Sequence, residues 1–157
     1  MSITAARAYL AQFGLDGKVL EFPVSSATVE LAAEAAGVSP ARIAKSLSFK
    51  VDGEAILIVT AGDAKVDNAK FKAAFHTKAK MLTPDEVTEM IGHAIGGVCP
   101  FGIREGVKVY LDESMKRFES VFPAAGSSNS AIELTCEQLE QVAQNCQGWG
   151  DFCKGWA

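Results

Sequence analysis

The sequence has no CxxC pair, no metal-ligand spacing, no apolar run long enough for a bilayer and no excess of positive charge. Each absence removes a class of function. The four cysteines, Cys99, Cys136, Cys146 and Cys153, stand apart, which argues against a zinc site and a disulfide scaffold and points to a reducing cytoplasm. The longest strongly apolar stretch, Ala55 to Ala61, is far too short for a span, and the N-terminal residues lack a basic segment followed by an apolar one. A soluble, unexported protein is expected. The net charge of −4 creates no field that would draw in nucleic acid, so a polyanionic partner would have to meet a local patch. Only two histidines, His76 and His93, are present. Paired carboxylates are not evident, and Ser128 and Ser130 lack the setting of a nucleophile elbow.

What is present is an ordinary globular composition, 48% hydrophobic and 22% charged. At 157 residues the chain is expected to form a single domain, 1–157, large enough to bury a core without disulfides or metals. Amphipathic spacing predicts a helix over Thr4 to Phe13 and a second after Ser25 and Ser26 that Gly37 closes. Ser39 and Pro40 start a brief turn that delivers Lys45 to the start of a strand. Leu47, Phe49 and Val51 alternate with polar residues, and Asp52 and Gly53 signal a hairpin into a deeply buried strand, Ala55 to Thr60. A helix over Asn68 to Phe75, a short strand at Lys78 to Leu82 and a capping box at Thr83 to Glu86 follow, the last opening a helix that stops at Gly92. Strands are expected at Val107 to Asp112, Ser120 to Ala125 and Ala131 to Leu134, with a capped helix from Thr135 to Gln144 and an aromatic tail packing on the body. This mixture, with at least one antiparallel hairpin and no strict alternation of strand and helix, predicts an α+β domain with a mixed sheet curled into a barrel-like core.

Three features could carry chemistry. Gly92 to Gly102, GHAIGGVCPFG, packs four glycines and a proline into a segment without helical or strand periodicity. It is either a connecting turn or a shaped loop whose Gly96 and Gly97 amides meet a carbonyl or phosphate oxygen. Lys45, at the entry to a buried strand, either snorkels to solvent or presents a fixed ammonium to an oxygen. Cys99 lies six residues from His93, and a thiol nucleophile would need that base and an electropositive setting. The lysines between Lys65 and Lys80 form a basic stretch that is either a solvated face or a patch for a polyanion.

Taken together and in order, SPARIAKSLSFKVDG (Ser39 to Gly53), GHAIGGVCPFG (Gly92 to Gly102) and AAGSSNSAIELT (Ala125 to Thr135) resemble the YbaK/EbsC family, the prolyl-tRNA synthetase associated domains that edit mischarged tRNA. The resemblance runs from about Val19 to Gln144. It implies a mixed sheet closed into a barrel-like core with flanking helices, and hydrolysis of the ester linking a small amino acid to tRNA, most often proline tRNA. Lys45 matches the family's essential lysine, and Gly96 opens the matching GxxxP loop that ends at Pro100. On this resemblance Lys45 and Gly96 are the catalytic candidates, Lys45 engaging the substrate's backbone or terminal phosphate and the Gly96 region holding the aminoacyl carbonyl. Phe22, Ser46, Gly97, Val98, Cys99, Pro100, Gly126, Ser128 and Ser130 are the implied pocket residues, Cys99 as a wall rather than a nucleophile.

The resemblance implies no metal and no cofactor. It names the acceptor end of aminoacyl-tRNA as partner and a synthetase as a further candidate, with no membrane or DNA involved. Backbone amides aimed at the oxyanion, a placed water and a vicinal hydroxyl of the terminal adenosine replace a triad. The chain departs from the family at Ser130-Ala131, where some members carry an acidic residue or histidine, and at Ser46, where threonine or asparagine is common. These departures leave the amino acid open. The alternatives are a non-catalytic module that binds aminoacyl-tRNA or a synthetase, and a cysteine hydrolase acting on a small metabolite.

Overall fold

The computed structural model describes residues 2–156. The helices are α1 (Ser2–Ala11), α2 (Val29–Ala36), α3 (Asn68–Phe75), α4 (Pro84–Glu86, continued as one π-helical turn over Val87–Ile91) and α5 (Cys136–Val142). The longer strands are β2 (Ile43–Val51), β3 (Glu54–Ala61), β5 (Lys108–Asp112), β6 (Ser120–Pro123) and β9 (Cys146–Gly150). Two-residue strands complete the set: β1 (Leu20–Glu21), β4 (Lys65–Val66), β7 (Ser130–Ala131), β8 (Leu134–Thr135) and β10 (Cys153–Lys154).

Local chemistry places most of these ends. Thr28 caps α2 through its side chain, and Gly37, at φ 73°, ends it in the left-handed conformation that suits glycine. Asp52 and Gly53 take φ of 52° and 81°, the positive pair a two-residue β2–β3 hairpin demands. Capping boxes open α4 at Thr83 and α5 at Thr135.

The main sheet has the order β8-β6-β2-β3-β5-β9 and curls into a half-barrel, the α+β architecture anticipated from the sequence. The β2–β3 and β6–β8 pairs are antiparallel, while β2–β6, β3–β5 and β5–β9 are parallel. Leu57, Val59, Val109 and Leu111 are wholly buried along its middle. Over β2, β3 and β5 lies an aromatic cluster in which Phe71 sits 5.0 Å from Phe49 and 4.7 Å from Phe75, with Tyr110 and Phe152 completing it. Among the described residues no helix is long and apolar enough to cross a membrane.

Several local expectations need correction. The strand expected over Lys78 to Leu82 is a single bridge, Met81 to Phe49. Residues Ala131 to Leu134 split into two short pairings with different partners. The segment CQGWG forms β9 at the edge of the main sheet, parallel to β5, although its glycines and glutamine give no strand signal. Pairing with an existing strand overrides weak propensity there. Strand β2 begins at Ile43, so Lys45 stands inside it rather than at its start.

Candidate active site

Strand β2 is paired with β3 along one edge from Ala44 to Val51, but its other edge is interrupted. There β6 reaches only Ile43 and Ala44. The segment before α4 resumes the pairing at Ser48, whose carbonyl accepts from the Leu82 amide at 3.2 Å, and at Lys50, whose amide donates to the Lys80 carbonyl at 2.9 Å. Backbone groups two residues apart on a strand face the same edge. The Ser46 amide and carbonyl therefore fall in the unpaired interval between β6 and residues 80–82.

A cavity of about 340 Å³ opens at this interval. Val29 and Ala32 of α2, Ile43 to Ser48 of β2, Leu82, Val87 and the turn at Ile95 and Gly96 line it, with Val98, Phe122, Ala124, Ser130 and Ala131 opposite. No aspartate or glutamate is among its lining residues. Lys45 is half-buried and makes no ion pair among the described residues. The carboxylate of Asp63, which pulls on it electrostatically, is itself held by Arg117 at 2.5 and 3.0 Å. Burial pushes the Lys45 ammonium below the usual lysine range, and neighbouring negative groups offset that only in part. Ser46 Oγ is shielded from solvent and has no hydrogen-bond partner among the described residues.

The glycine-rich segment is a shaped loop. Gly92, at φ 97°, ends the π-helical turn with its amide on the Val87 carbonyl. Ala94 to Gly97 form a tight turn closed by the Gly97 amide on the Ala94 carbonyl at 3.0 Å, with Gly96 at φ 94°. Gly at the third position with positive φ marks a type II turn. The described hydrogen bonds include none from the Gly96 amide. The Gly97 amide, in contrast, is already committed. What glycine provides at 97 is proximity, since a Cβ there would lie 2.7 Å from the Gly126 carbonyl carbon and from the Ser127 nitrogen.

Behind this turn lie Cys99, which has no exposure, and His93, at 1%. His93 Nε2 sits 2.7 Å from the Phe101 carbonyl, so that nitrogen carries the proton, and Cys99 Sγ lies 3.5 Å from both. The nitrogen facing the sulfur is thus a donor, not a base. Burial pushes the Cys99 thiol up to about 12, and it also holds the imidazole below the usual histidine range. His93 Nδ1 has no partner among the described residues. The pair is structural, and its geometry withdraws the thiol nucleophile.

Of the residues singled out from the sequence, Lys45, Ser46, Gly96, Val98 and Ser130 meet at the cavity. Phe22, Gly97, Cys99, Pro100, Gly126 and Ser128 do not line it. Each of these supports the wall from behind or from the side. Phe22 exchanges bonds of 2.7 and 3.1 Å with Asn129, Pro100 offers its carbonyl to the Gln144 amide at 2.9 Å, and the Ser128 carbonyl takes the Ser26 amide at 2.6 Å. Gly126 backs Gly97, as its close approach requires. Ser130, although on the wall, spends its hydroxyl on Ser127 at 2.7 Å.

Sequence reasoning missed Ser48, Val87, Phe122 and the α2 residues. Ser48 continues the alternation that carries Ser46 and was readable, whereas the others arrive through topology. In the basic stretch, Lys70 is bound to Asp151 at 2.8 Å and to the Cys153 carbonyl at 2.7 Å, while Lys78 and Lys80 are exposed and do not line the cavity.

A model of the aminoacyl-tRNA editing domain family matches residues 24–142. The chain is 55% identical over 157 residues, 99% of both proteins, to the uncharacterized protein YwhH of Bacillus subtilis. It is 30% identical over 119 residues to a proline–tRNA ligase of Bacillus licheniformis, an alignment covering 75% of this chain and 20% of the ligase. Among solved structures, a protein proposed as a trans-editing enzyme for prolyl tRNA synthetase superposes with a TM-score of 0.88 at 31% identity, covering 98% of each chain.

Proposed function

This chain belongs to the aminoacyl-tRNA editing domain family, and from that premise we propose that it is a deacylase removing a small amino acid wrongly esterified to tRNA, with proline tRNA as the first candidate. The observation that supports this reading is that Lys45, which makes no ion pair among the described residues, and Gly96, whose amide has no described acceptor, both line a cavity at an interrupted sheet edge. The solved relative proposed as a trans-editing enzyme and the match to part of proline–tRNA ligases support the substrate class.

An aminoacyl ester is already activated, so positioning and oxyanion stabilisation suffice for its hydrolysis. Water adds to the ester carbonyl carbon, the Gly96 amide donates to the oxygen that gains charge, and the bond to the ribose oxygen breaks as that oxygen takes a proton. A vicinal ribose hydroxyl serves to orient the water, which is why no protein base is required. Lys45 engages the terminal phosphate or backbone of the tRNA end. Its poor solvation and lack of a carboxylate partner raise its affinity for an incoming anion.

The test is release of amino acid from proline tRNA charged separately with alanine, cysteine, serine and 2-aminobutyrate. Wild type is expected to hydrolyse at least one, Lys45→Ala to lose that activity while remaining folded, and Cys99→Ala to keep it. Tight binding without turnover on the whole panel would replace the deacylase with a binding module. Complete loss in a folded Cys99→Ala variant would return the mechanism to the thiol.

A further inference from the structure

Lys45 is not the only cation in its neighbourhood. Strand β10 pairs antiparallel with β4, so that Lys154 stands directly across from Lys65. Side chains opposite one another on such a ladder have Cβ atoms about 4.5–5.5 Å apart, and like charges there repel. Both lysines are exposed, and neither makes an ion pair among the described residues. Lys65 in turn lies near enough to Lys45 for its charge to add to burial in holding that ammonium below the usual lysine range. The fold holds this arrangement firmly. The Phe152 amide donates to the buried carboxylate of Asp112 at 2.7 Å, the Phe152 carbonyl accepts from the Asp67 amide at 2.8 Å, and Lys70 grips Asp151 and the Cys153 carbonyl. Carboxylates near the three lysines are engaged elsewhere. Asp63 is held by Arg117 and Asp151 by Lys70, while Asp67, which feels the charge of Lys154, caps α3 by accepting the Lys70 amide at 3.0 Å. Glu30 of α2 acts on Lys45 more weakly than Lys65 does.

We propose that Lys65 and Lys154, facing each other across the β4–β10 ladder, continue the cationic path that begins at Lys45 and bind the phosphodiester backbone of the tRNA acceptor end, in the nucleotides preceding the esterified one. The inference takes its ligand from the deacylase reading and deepens it. A line of unneutralised ammonium groups leading out of a cavity suits a run of phosphates, each of which relieves the repulsion between two lysines as it binds. The chain's net charge of −4 does not draw in RNA as a whole, so affinity has to come from a local patch of this kind. Phosphate contacts position a strand without reading its sequence. Here they hold the ester at Gly96 and leave the chemistry to the cavity. Lys154 lies beyond residues 24–142, the part of the chain that the family model matches, so the contact is not one the family match supplies.

The experiment measures affinity for uncharged proline tRNA by fluorescence anisotropy, and kcat and KM on the same tRNA carrying an amino acid that wild type hydrolyses, at about 50 and 200 mM salt. The variants are Lys154→Gln, Lys65→Gln and the double variant, with Lys18→Gln as the control, an equal loss of charge at an exposed residue outside the cavity and the ladder. Each lost phosphate contact lowers the slope of log affinity on log salt by about 0.7–0.9. The fourfold rise in salt should therefore cost each single variant about threefold less than it costs wild type and Lys18→Gln, and the double variant about tenfold less. KM should rise while kcat is kept, and the loss should be absent on an aminoacyl ester of adenosine, which has no phosphate. The denaturant midpoint of Lys154→Gln should equal or exceed that of wild type, because a repulsion is relieved; a merely structural lysine would lower it and impair both substrates alike. A wild-type salt slope in the double variant, an equal loss in Lys18→Gln, or an equal loss on the adenosine ester would overturn the proposal and leave the deacylase intact. If no ester is hydrolysed the deacylase reading falls, and the salt slope for uncharged tRNA still decides whether the ladder binds RNA phosphate.

Discussion

Gly97→Ala tests the idea that two loops are locked together to make the cavity wall. Glycine at 97 is not in the left-handed region, so alanine brings no backbone strain. The cost is purely steric. The added Cβ would lie 2.7 Å from the Gly126 carbonyl carbon, 2.7 Å from the Ser127 nitrogen and 2.8 Å from the Gly126 oxygen, all of them backbone. Real Cβ atoms essentially never come within 3.0 Å and ordinary contact begins at 3.4 Å, so the loops must part by about 0.3 Å (3.0 − 2.7) to 0.7 Å (3.4 − 2.7). Neither can yield freely, because Ser127 is tied to Ser130 and Gly97 closes the turn on Ala94. Overpacking of this kind costs about 1–3 kcal/mol, or roughly 3–10 °C in melting temperature for a domain of this size. The same displacement moves Gly96 away from the β2 wall, and positioning errors near 1 Å lower rates by about a hundredfold. The expected outcome is a lower denaturant midpoint at constant m-value together with a greater than tenfold loss of kcat/KM. An alanine variant with wild-type midpoint and turnover would refute the reasoning.

Two further outcomes follow from burial of titratable groups. Burial disfavours the charged form of Lys45, so the penalty is full at neutral pH and is relieved only as pH rises from its depressed value towards 10.5. Lys45→Met should therefore unfold at an equal or higher denaturant concentration than wild type at pH 7.5 while losing hydrolysis; a clear loss of stability would contradict this account. His93 is held neutral by burial, so its contribution is fully present above pH 6.5 and is lost as pH falls below that towards its lowered value. His93→Gln, which keeps a donor for the Phe101 carbonyl, should flatten the dependence of unfolding free energy between pH 6.5 and 5.5, and an unchanged slope in that window would count against it.

What could be read in the sequence was governed by local rules. The Asp52–Gly53 hairpin, α3, both capping boxes and the stop at Gly92 follow from residues within a few positions of one another, and all are where the sequence put them. Lys45, Ser46 and Gly96 were legible because strand alternation and a glycine-rich turn carry them, reinforced by family resemblance. The rest depended on contacts across the chain. Nothing near Phe122 says that it will stand beside Ile43 on a parallel partner, and nothing in CQGWG says that β5 will have a free edge. Cys99 looked available because a glycine-rich sequence reads as open, yet the fold turns it inward against His93 and Phe101. Gly97 looked like a ligand donor and Gly126 like a pocket residue when taken singly, but they are required by each other.

The interruption on the edge of β2 also bears on how the molecule comes into being. The β2–β3 hairpin joins neighbours through a two-residue turn, and such closures take microseconds. The β2–β6 pairing that frames the cavity joins Ile43 to Phe122, and a loop of that length must be drawn in before any contact rewards it. The walls at residues 81–98 and 122–131 meet β2 only through such long closures, whereas 26–32 lie just upstream of it. On the proposed deacylase reading, competence belongs to the finished topology, and recovery of turnover during refolding is expected to report the arrival of β6 rather than the appearance of the hairpin.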